Sequence, residues 1–443
     1  MNHYVRNFIF LLLITGGVIF GLRSWGEPTA LRFDPARLAR IDAHFAQAVA
    51  EQKIAGGRAV IMQAGQQVYA QNWGYRDLEN KTPMTDDAIF QIYSMSKPIV
   101  SVAVMMLFEE GRLRLDMPIA TYIPELADLK VYDAENGAGN PPLRAAARQP
   151  TVHDLLTHRA GMTYGFLDAS PVGALYRKNQ IDMPPYRSLS EYMQSVAAQP
   201  LKFDPGTAWN YSISPDVLGR LVEVVSGQTL GEFLQARIFA PLGMLDTSFK
   251  RDPAKADRIA KLYAREGITA QYAIKGFAAR PTGSGLELAH PGLQLIHSAD
   301  AKFESGGGGL LSTTHDYLRF AQMLLNHGEL EGVRLLAPNT VAMMRHNQIG
   351  DMPALGRRSP TFPGPGVGFG LGFAMITDQA LSGTALPEGS YFWGGAAGTF
   401  FWVDPKNDLT AIFMMQVLPE DTGFRKDMWS LTYQAISDDR LDP

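Results

Sequence analysis

A chain of 443 residues, 46% of them hydrophobic and 19% charged, is long enough to bury one large core or two modest ones. A formal charge of −4 with no cluster of lysine or arginine excludes a nucleic-acid backbone as partner. The absence of cysteine excludes disulfides, thiolate metal sites and a cysteine nucleophile.

At the N-terminus Arg6 precedes a charge-free apolar run from Phe8 to Leu22. That run is shorter than the roughly 20 residues that span a bilayer and suits the core of an export signal. The stretch Leu22-Arg23-Ser24-Trp25-Gly26 lacks the small-residue pattern of a cleavage site. Residues 1–30 are therefore expected to be a signal peptide or a membrane anchor, with the protein exported to the periplasm and tethered to the inner membrane where the segment is not cleaved.

From Asp34 to about Gln52 apolar residues recur at helical spacing. Arg58 to Gln63 and Val68 to Trp73 then flank Ala64-Gly65-Gln66-Gln67 as the arms of a hairpin. Helical patterns follow over Ile99–Phe108, Val217–Val225, Leu230–Phe239 and Tyr317–Leu325, separated by long loops rich in Gly, Pro and Ala. The loops Tyr132–Pro150 and Ala264–Ser305 exceed ordinary length, which suits segments that shape a site or move. A second hairpin, Thr399–Val403 and Leu409–Met415, turns at Asp404-Pro405-Lys406-Asn407-Asp408, and an amphipathic stretch runs from Arg425 to Ile436. The fold expected is of α/β type (an α+β sandwich). One antiparallel sheet is built from both chain ends and flanked by helices, with a large, mainly helical region inserted. The sheet domain is assigned to 31–95 and 300–443, the insertion to 96–299, and the site to the cleft between them.

Three stretches carry candidate chemistry. Ser94-Met95-Ser96-Lys97 lies where an extended segment meets a helix, and Pro98, tolerable only in a first turn, marks the helix start. Residues i and i+3 share a helix face, so Lys97 would lie beside Ser94, and the helix N-terminus would favour an anionic oxygen. Tyr211, in Trp209-Asn210-Tyr211-Ser212, precedes a helix, and taken alone reads as a packed tyrosine. Trp393-Gly394-Gly395-Ala396 should lie on a strand, where paired glycines mark a close approach to the backbone or a bulge.

Taken together, the order Ser-x-x-Lys, Tyr-Ser, then a Gly-containing strand triplet resembles the serine β-lactamase and penicillin-binding superfamily, in its class C-like branch. The resemblance extends to Leu155-Leu156-Thr157-His158-Arg159-Ala160-Gly161, Pro241-Leu242-Gly243-Met244 and Gly306-Gly307-Gly308-Gly309-Leu310-Leu311-Ser312-Thr313, and covers about residues 36 to 436. It implies that Ser94 attacks an acyl carbonyl, that Lys97 and Tyr211 share its proton with either as the kinetic base, and that the backbone N–H groups of Ser94 and Ala396 hold the oxyanion. The ammonium of Lys97 would favour the phenolate of Tyr211.

Two departures bear on substrate. Where β-lactamases of this branch have Tyr-x-Asn, this chain has Tyr211-Ser212-Ile213, and where they have Lys-Thr-Gly it has Trp393-Gly394-Gly395. Both changes remove polar groups, and both resemble the family VIII carboxylesterases. Trp393, Gly394, Gly395 and Ile213 are the expected substrate contacts. The substrate expected is a small-molecule ester or amide, with a carboxylesterase as the main reading. A β-lactamase or D-amino-acid peptidase, an acyltransferase, and a catalytically silent envelope scaffold are the alternatives. No cofactor or metal is expected: the nine histidines lack ligand spacing, Gly366 to Gly372 does not fit a dinucleotide loop, and Gly306–Gly309 reads as a tight backbone path. His158 is expected to order its loop.

Overall fold

The computed structural model describes residues 32–182, 188–268, 281–290, 303–355, 362–420 and 423–437. The N-terminal apolar run and much of the Ala264–Ser305 loop lie outside them. Among the described residues no helix is long and apolar enough to cross a membrane.

The first helix, α1 (Pro35–Ala50), starts where sequence places it. Asp34 accepts a hydrogen bond from the N–H of Ala36, and Pro35 fills the first helical position, where a missing N–H costs nothing. Strands β1 (Gly56–Gln63) and β2 (Gln66–Asp77) form the first hairpin. Its turn is tighter than the expected four residues, because Ala64 and Gly65 both take positive φ, 47° and 72°, as a two-residue hairpin turn requires.

These strands belong to an eight-stranded sheet that is antiparallel throughout. Its order is Val367–Phe369, Ala374–Ile376, Tyr391–Gly394, Phe400–Asp404, Leu409–Met415, β1, β2 and β3 (Thr82–Pro83). Both chain ends therefore build one sheet, as expected. They meet where β1 pairs with Leu409–Met415, in a register running from Gly57 opposite Met415 to Gln63 opposite Leu409.

Side chains alternate between faces, and each face is covered. Phe413 points to α1, its ring 4.6 Å from that of Phe45, while Trp429 of the C-terminal helix (Phe424–Tyr433) packs on Phe392 and Phe400. Phe401 points the other way and meets Tyr317 of the helix Thr314–Leu325 at 4.9 Å. Each such fully buried aromatic contributes roughly 1.5–3 kcal/mol relative to exposure.

Between the two sets of sheet strands in the sequence come α2 (Ser96–Glu109), the helix Ser214–Ser226 packed against it, and several shorter helices. The pattern Leu230–Phe239 is one helical run with a change of winding. A capping box of Thr229 and Glu232 starts it, and a wider π turn takes over at Gln235–Phe239. The expected loop Tyr132–Pro150 contains a small hairpin, Lys130–Tyr132 with Leu143–Ala145. Asp133 accepts from the N–H groups of Glu135 and Asn136, and Arg144 bridges Asp133 and Asp204.

Candidate active site

The strand Phe90–Gln91 pairs with Leu311–Ser312, and the chain then turns sharply into α2. Tyr93 takes φ of 45°, a conformation that strains a non-glycine residue. A single 3₁₀ turn, Tyr93–Met95, carries Ser94, and α2 follows from Ser96 with Pro98 in its first turn. Ser94 thus stands at a helix N-terminus, and the i, i+3 spacing brings Lys97 Nζ within 3.1 Å of its Oγ.

Lys97 is 2% exposed, and its ammonium has three acceptors: Ser94 Oγ at 3.1 Å, Tyr164 Oη at 3.1 Å and the Gly307 carbonyl at 2.6 Å. Burial lowers its pKa to about 7, against the nearby Asp216 carboxylate, which raises it. A neutral lysine has two N–H bonds and one lone pair. With Gly307 and Tyr164 taking the N–H bonds, the lone pair faces Ser94 Oγ, as a base requires.

Asp216 lies in the first turn of Ser214–Ser226 and is buried. Its Oδ1 accepts from Ser305 Oγ at 2.6 Å and from the Gly307 N–H at 3.0 Å, while burial pushes its pKa up. The glycine run permits this approach. A Cβ on Gly306 would strike the Pro215 carbonyl, and one on Gly307 would strike the Asp216 carboxylate. Gly307 therefore links the two charges, accepting from Lys97 and donating to Asp216.

Tyr211 follows the short strand Trp209–Asn210, and the Lys97 ammonium lies 4.6 Å from the centre of its ring. The side chain of Ser94 lies close enough to the Tyr211 hydroxyl to act on its protonation. Burial dominates and raises its pKa above the ordinary tyrosine value, although the Ser94 and Trp393 side chains favour the phenolate. The expected lean of Tyr211 toward phenolate is not what dominates: desolvation is the largest influence and raises its pKa.

His158 supports Tyr211 from behind, with ring centres 4.9 Å apart, and its Nδ1 lies 3.1 Å from Ser212 Oγ. Burial, with the Lys97 charge, pushes its pKa well below 6.5, so the ring is neutral. It orders its loop, as expected. Among the described residues no group of three or more His, Asp or Glu could hold a metal ion.

Trp393 is the third residue of the strand Tyr391–Gly394, its ring 5.4 Å from that of Tyr211 and stacked at 13° on Phe362, with Phe369 edge-on. The paired glycines are needed for two separate contacts. A Cβ at Gly394 would meet the guanidinium of Arg425, and one at Gly395 would strike the Ile92 carbonyl and Thr399 Oγ1. Thr399 Oγ1 donates to the Ile92 carbonyl at 3.2 Å, so the turn after the strand is seated on the segment that leads into Ser94. Ala396 lies in that turn, exposed and outside the sheet ladder.

Ser94, Lys97, Tyr211, Trp393, Gly394 and Gly395 therefore converge, with Ala396 in the adjoining turn. Ile213 does not line the opening. It occupies the position before the helix Ser214–Ser226, is 1% exposed, and packs in the core. Tyr164, Asp216 and Arg425 were not singled out from sequence. For Asp216 the only signal was the glycine run, whose close approach implies a partner.

The family model described as Beta-lactamase matches residues 41–433. The chain is 33% identical to Esterase EstB of Burkholderia gladioli, over 88% of this chain and 93% of that one. It is 31% identical to a lovastatin esterase of Penicillium rubens, over 88% and 95%. Among solved structures, EstCE1, described as a hydrolase with promiscuous acyltransferase activity, superimposes with a TM-score of 0.74 at 26% identity, covering 90% of this chain and 99% of that chain. With its family-wide match and its serine and lysine in contact at the start of a helix, this chain belongs to the β-lactamase family of serine hydrolases.

Proposed function

We propose that the protein is a carboxylesterase that cleaves uncharged esters through an acyl-Ser94 intermediate. The observation that carries the reading is the Lys97 amine, poised near neutrality and held by Gly307 and Tyr164 with its third direction on Ser94 Oγ. Lys97 takes the Ser94 proton as Oγ bonds to the acyl carbon, and the N–H groups of Ser94 and Ala396 receive the oxyanion. The bond to the alkoxy oxygen then breaks. The leaving alkoxide takes a proton from the Lys97 ammonium by way of the Tyr211 hydroxyl, which stays protonated at neutral pH. Water adds to the acyl group as Lys97 takes its proton; the acyl carbon–Oγ bond then breaks, Ser94 Oγ takes that proton back from Lys97, and the acid leaves.

The wall formed by Trp393, Phe362 and Phe369 is apolar, and Trp393 stands where the β-lactamases resembled have a lysine. This favours ester substrates without a carboxylate, in line with the names of the esterase relatives. An alcohol could take the acyl group in place of water, which is the acyl transfer named for EstCE1. The Arg6 and Phe8–Leu22 segment supports export to the periplasm, with retention on the inner membrane where it stays uncleaved.

The test is hydrolysis of a short-to-medium p-nitrophenyl ester series beside a chromogenic cephalosporin, with the Ser94→Ala variant as control. Ester turnover that vanishes in the variant, with little cephalosporin cleavage, supports the proposal. Cephalosporin cleavage faster than ester cleavage would replace it with a β-lactamase reading.

A further inference from the structure

We infer that Arg425, on the C-terminal helix, is a positioning residue for the oxyanion site. The proposal rests on the reading above, in which the Ala396 N–H receives the oxyanion. Arg425 Nη2 donates to the Gly395 carbonyl at 2.7 Å. The peptide joining Gly395 to Ala396 is trans, since the cis bonds lie elsewhere, so its carbonyl and its N–H point in opposite directions. Fixing the carbonyl on the Arg425 side fixes the Ala396 N–H on the other. A charged donor on the carbonyl also polarises the peptide and strengthens the same N–H as a donor.

Three further contacts make this a constructed arrangement. Arg425 is largely withdrawn from solvent, its side chain 15% exposed, and Glu420 Oε2 lies 3.1 Å from its Nε, an ion pair that holds the guanidinium's charge in place. Gly394 has no side chain where the guanidinium lies, so the first glycine of the pair clears the space that Arg425 occupies. The Gly398 N–H also donates to the Gly395 carbonyl, at 3.2 Å, and closes the turn that presents Ala396. Arg425 makes no hydrogen bond to Ser94 or Lys97, and although its charge also favours the Tyr211 phenolate, its one hydrogen bond toward the site is to the Gly395 carbonyl, so boronate affinity is the readout that reports on the peptide it holds.

A misdirected oxyanion donor costs the transition state and leaves ground-state binding alone. Arg425→Met keeps the length and apolar stem of the side chain and removes its donors, while Arg425→Lys keeps a charge and one donor. Removing an oxyanion donor outright costs about 10²–10³-fold in kcat, and a donor present but unheld should lose less, about 10- to 50-fold. The assay is steady-state ester hydrolysis by the full chain, together with inhibition by an alkyl boronic acid, whose tetrahedral Ser94 adduct places an oxygen at the oxyanion site. Arg425→Met should lower kcat with KM held within about threefold, and weaken the boronate by a similar factor, while Arg425→Lys recovers most of both.

Should Arg425→Met fail to fold, Glu420→Gln frees the guanidinium while leaving it in place and should show the same paired loss at smaller size. Unchanged kcat in folded variants overturns the proposal. So does a loss in kcat that the boronate affinity does not follow, or a loss that falls on KM. A wild-type enzyme whose ester turnover survives Ser94→Ala would instead sink the catalytic reading itself, so the two failures are distinct.

Discussion

Replacing Asp216 by Asn should move the acid limb of ester hydrolysis to lower pH. Lys97 must be neutral to accept the Ser94 proton, so kcat/KM rises as pH climbs through the Lys97 pKa of about 7. Burial sets that value low, and Asp216 works against burial by stabilising the ammonium. Gly307 bridges the two, its carbonyl on Lys97 and its N–H on Asp216. For two charges joined through one peptide in this way, taken as about 6 Å apart at an effective dielectric of about 20, the attraction is of the order of 2–3 kcal/mol, or about 1–2 pH units once local rearrangement is allowed. Asn keeps an oxygen for Ser305 and Gly307, so the charge is removed with little change in shape. The assay is kcat/KM for a p-nitrophenyl ester from about pH 5 to 9 at fixed ionic strength, read as the midpoint of the coupled pair. A midpoint that stays in place, or moves up, would refute the assignment of Lys97 as base under Asp216 control.

Tyr164→Phe removes one of the two groups that orient the Lys97 lone pair and should lower kcat about 10-fold at nearly constant KM, measured by steady-state kinetics. Gly395→Ala drives a methyl into the Ile92 carbonyl and Thr399 Oγ1, so ester turnover should fall by about 100-fold or more as the Ala396 turn is displaced. Phe413→Ala, deep between Phe45, Trp73 and Phe400, should cost about 3–5 kcal/mol in urea unfolding while kcat of the folded fraction is kept.

The parts of this protein that sequence reveals are those with local signatures. Alternation and turn residues gave away two hairpins of the sheet, those turning at Ala64–Gly65 and at Asp404–Asp408. Pro98 and the i, i+3 spacing placed Lys97 beside Ser94 before any coordinates. The residues that escaped act singly and at long range. Tyr164 and Asp216 sit 67 and 119 positions from Lys97, in no motif, and acquire meaning only because burial removes the water that would otherwise screen them. Ile213 was misplaced because the third position of a Tyr-x-x triplet was assumed to face the substrate, whereas the start of the next helix turns it into the core. The protonation of Tyr211 was misjudged for a related reason: a neighbouring cation can be read from spacing, but the depth of burial cannot. The small hairpin at 130–145 was hidden because Asp133, Arg144 and Asp204 hold it, and not an apolar alternation.

The seating of Gly395 and Thr399 on Ile92 also governs when the enzyme can first act. The turn carrying Ser94 is braced by residues made some three hundred positions later, and β1 has no partner on one side until Leu409–Met415 emerges. A nascent chain holding Ser94, Lys97 and Tyr211 but not yet these strands lacks the turn proposed to receive the oxyanion. Such late, non-local closure slows folding. Latency thus follows from the chain order, because the segment leading into Ser94 gains its bracing only when the strands of residues 391–415 close the sheet.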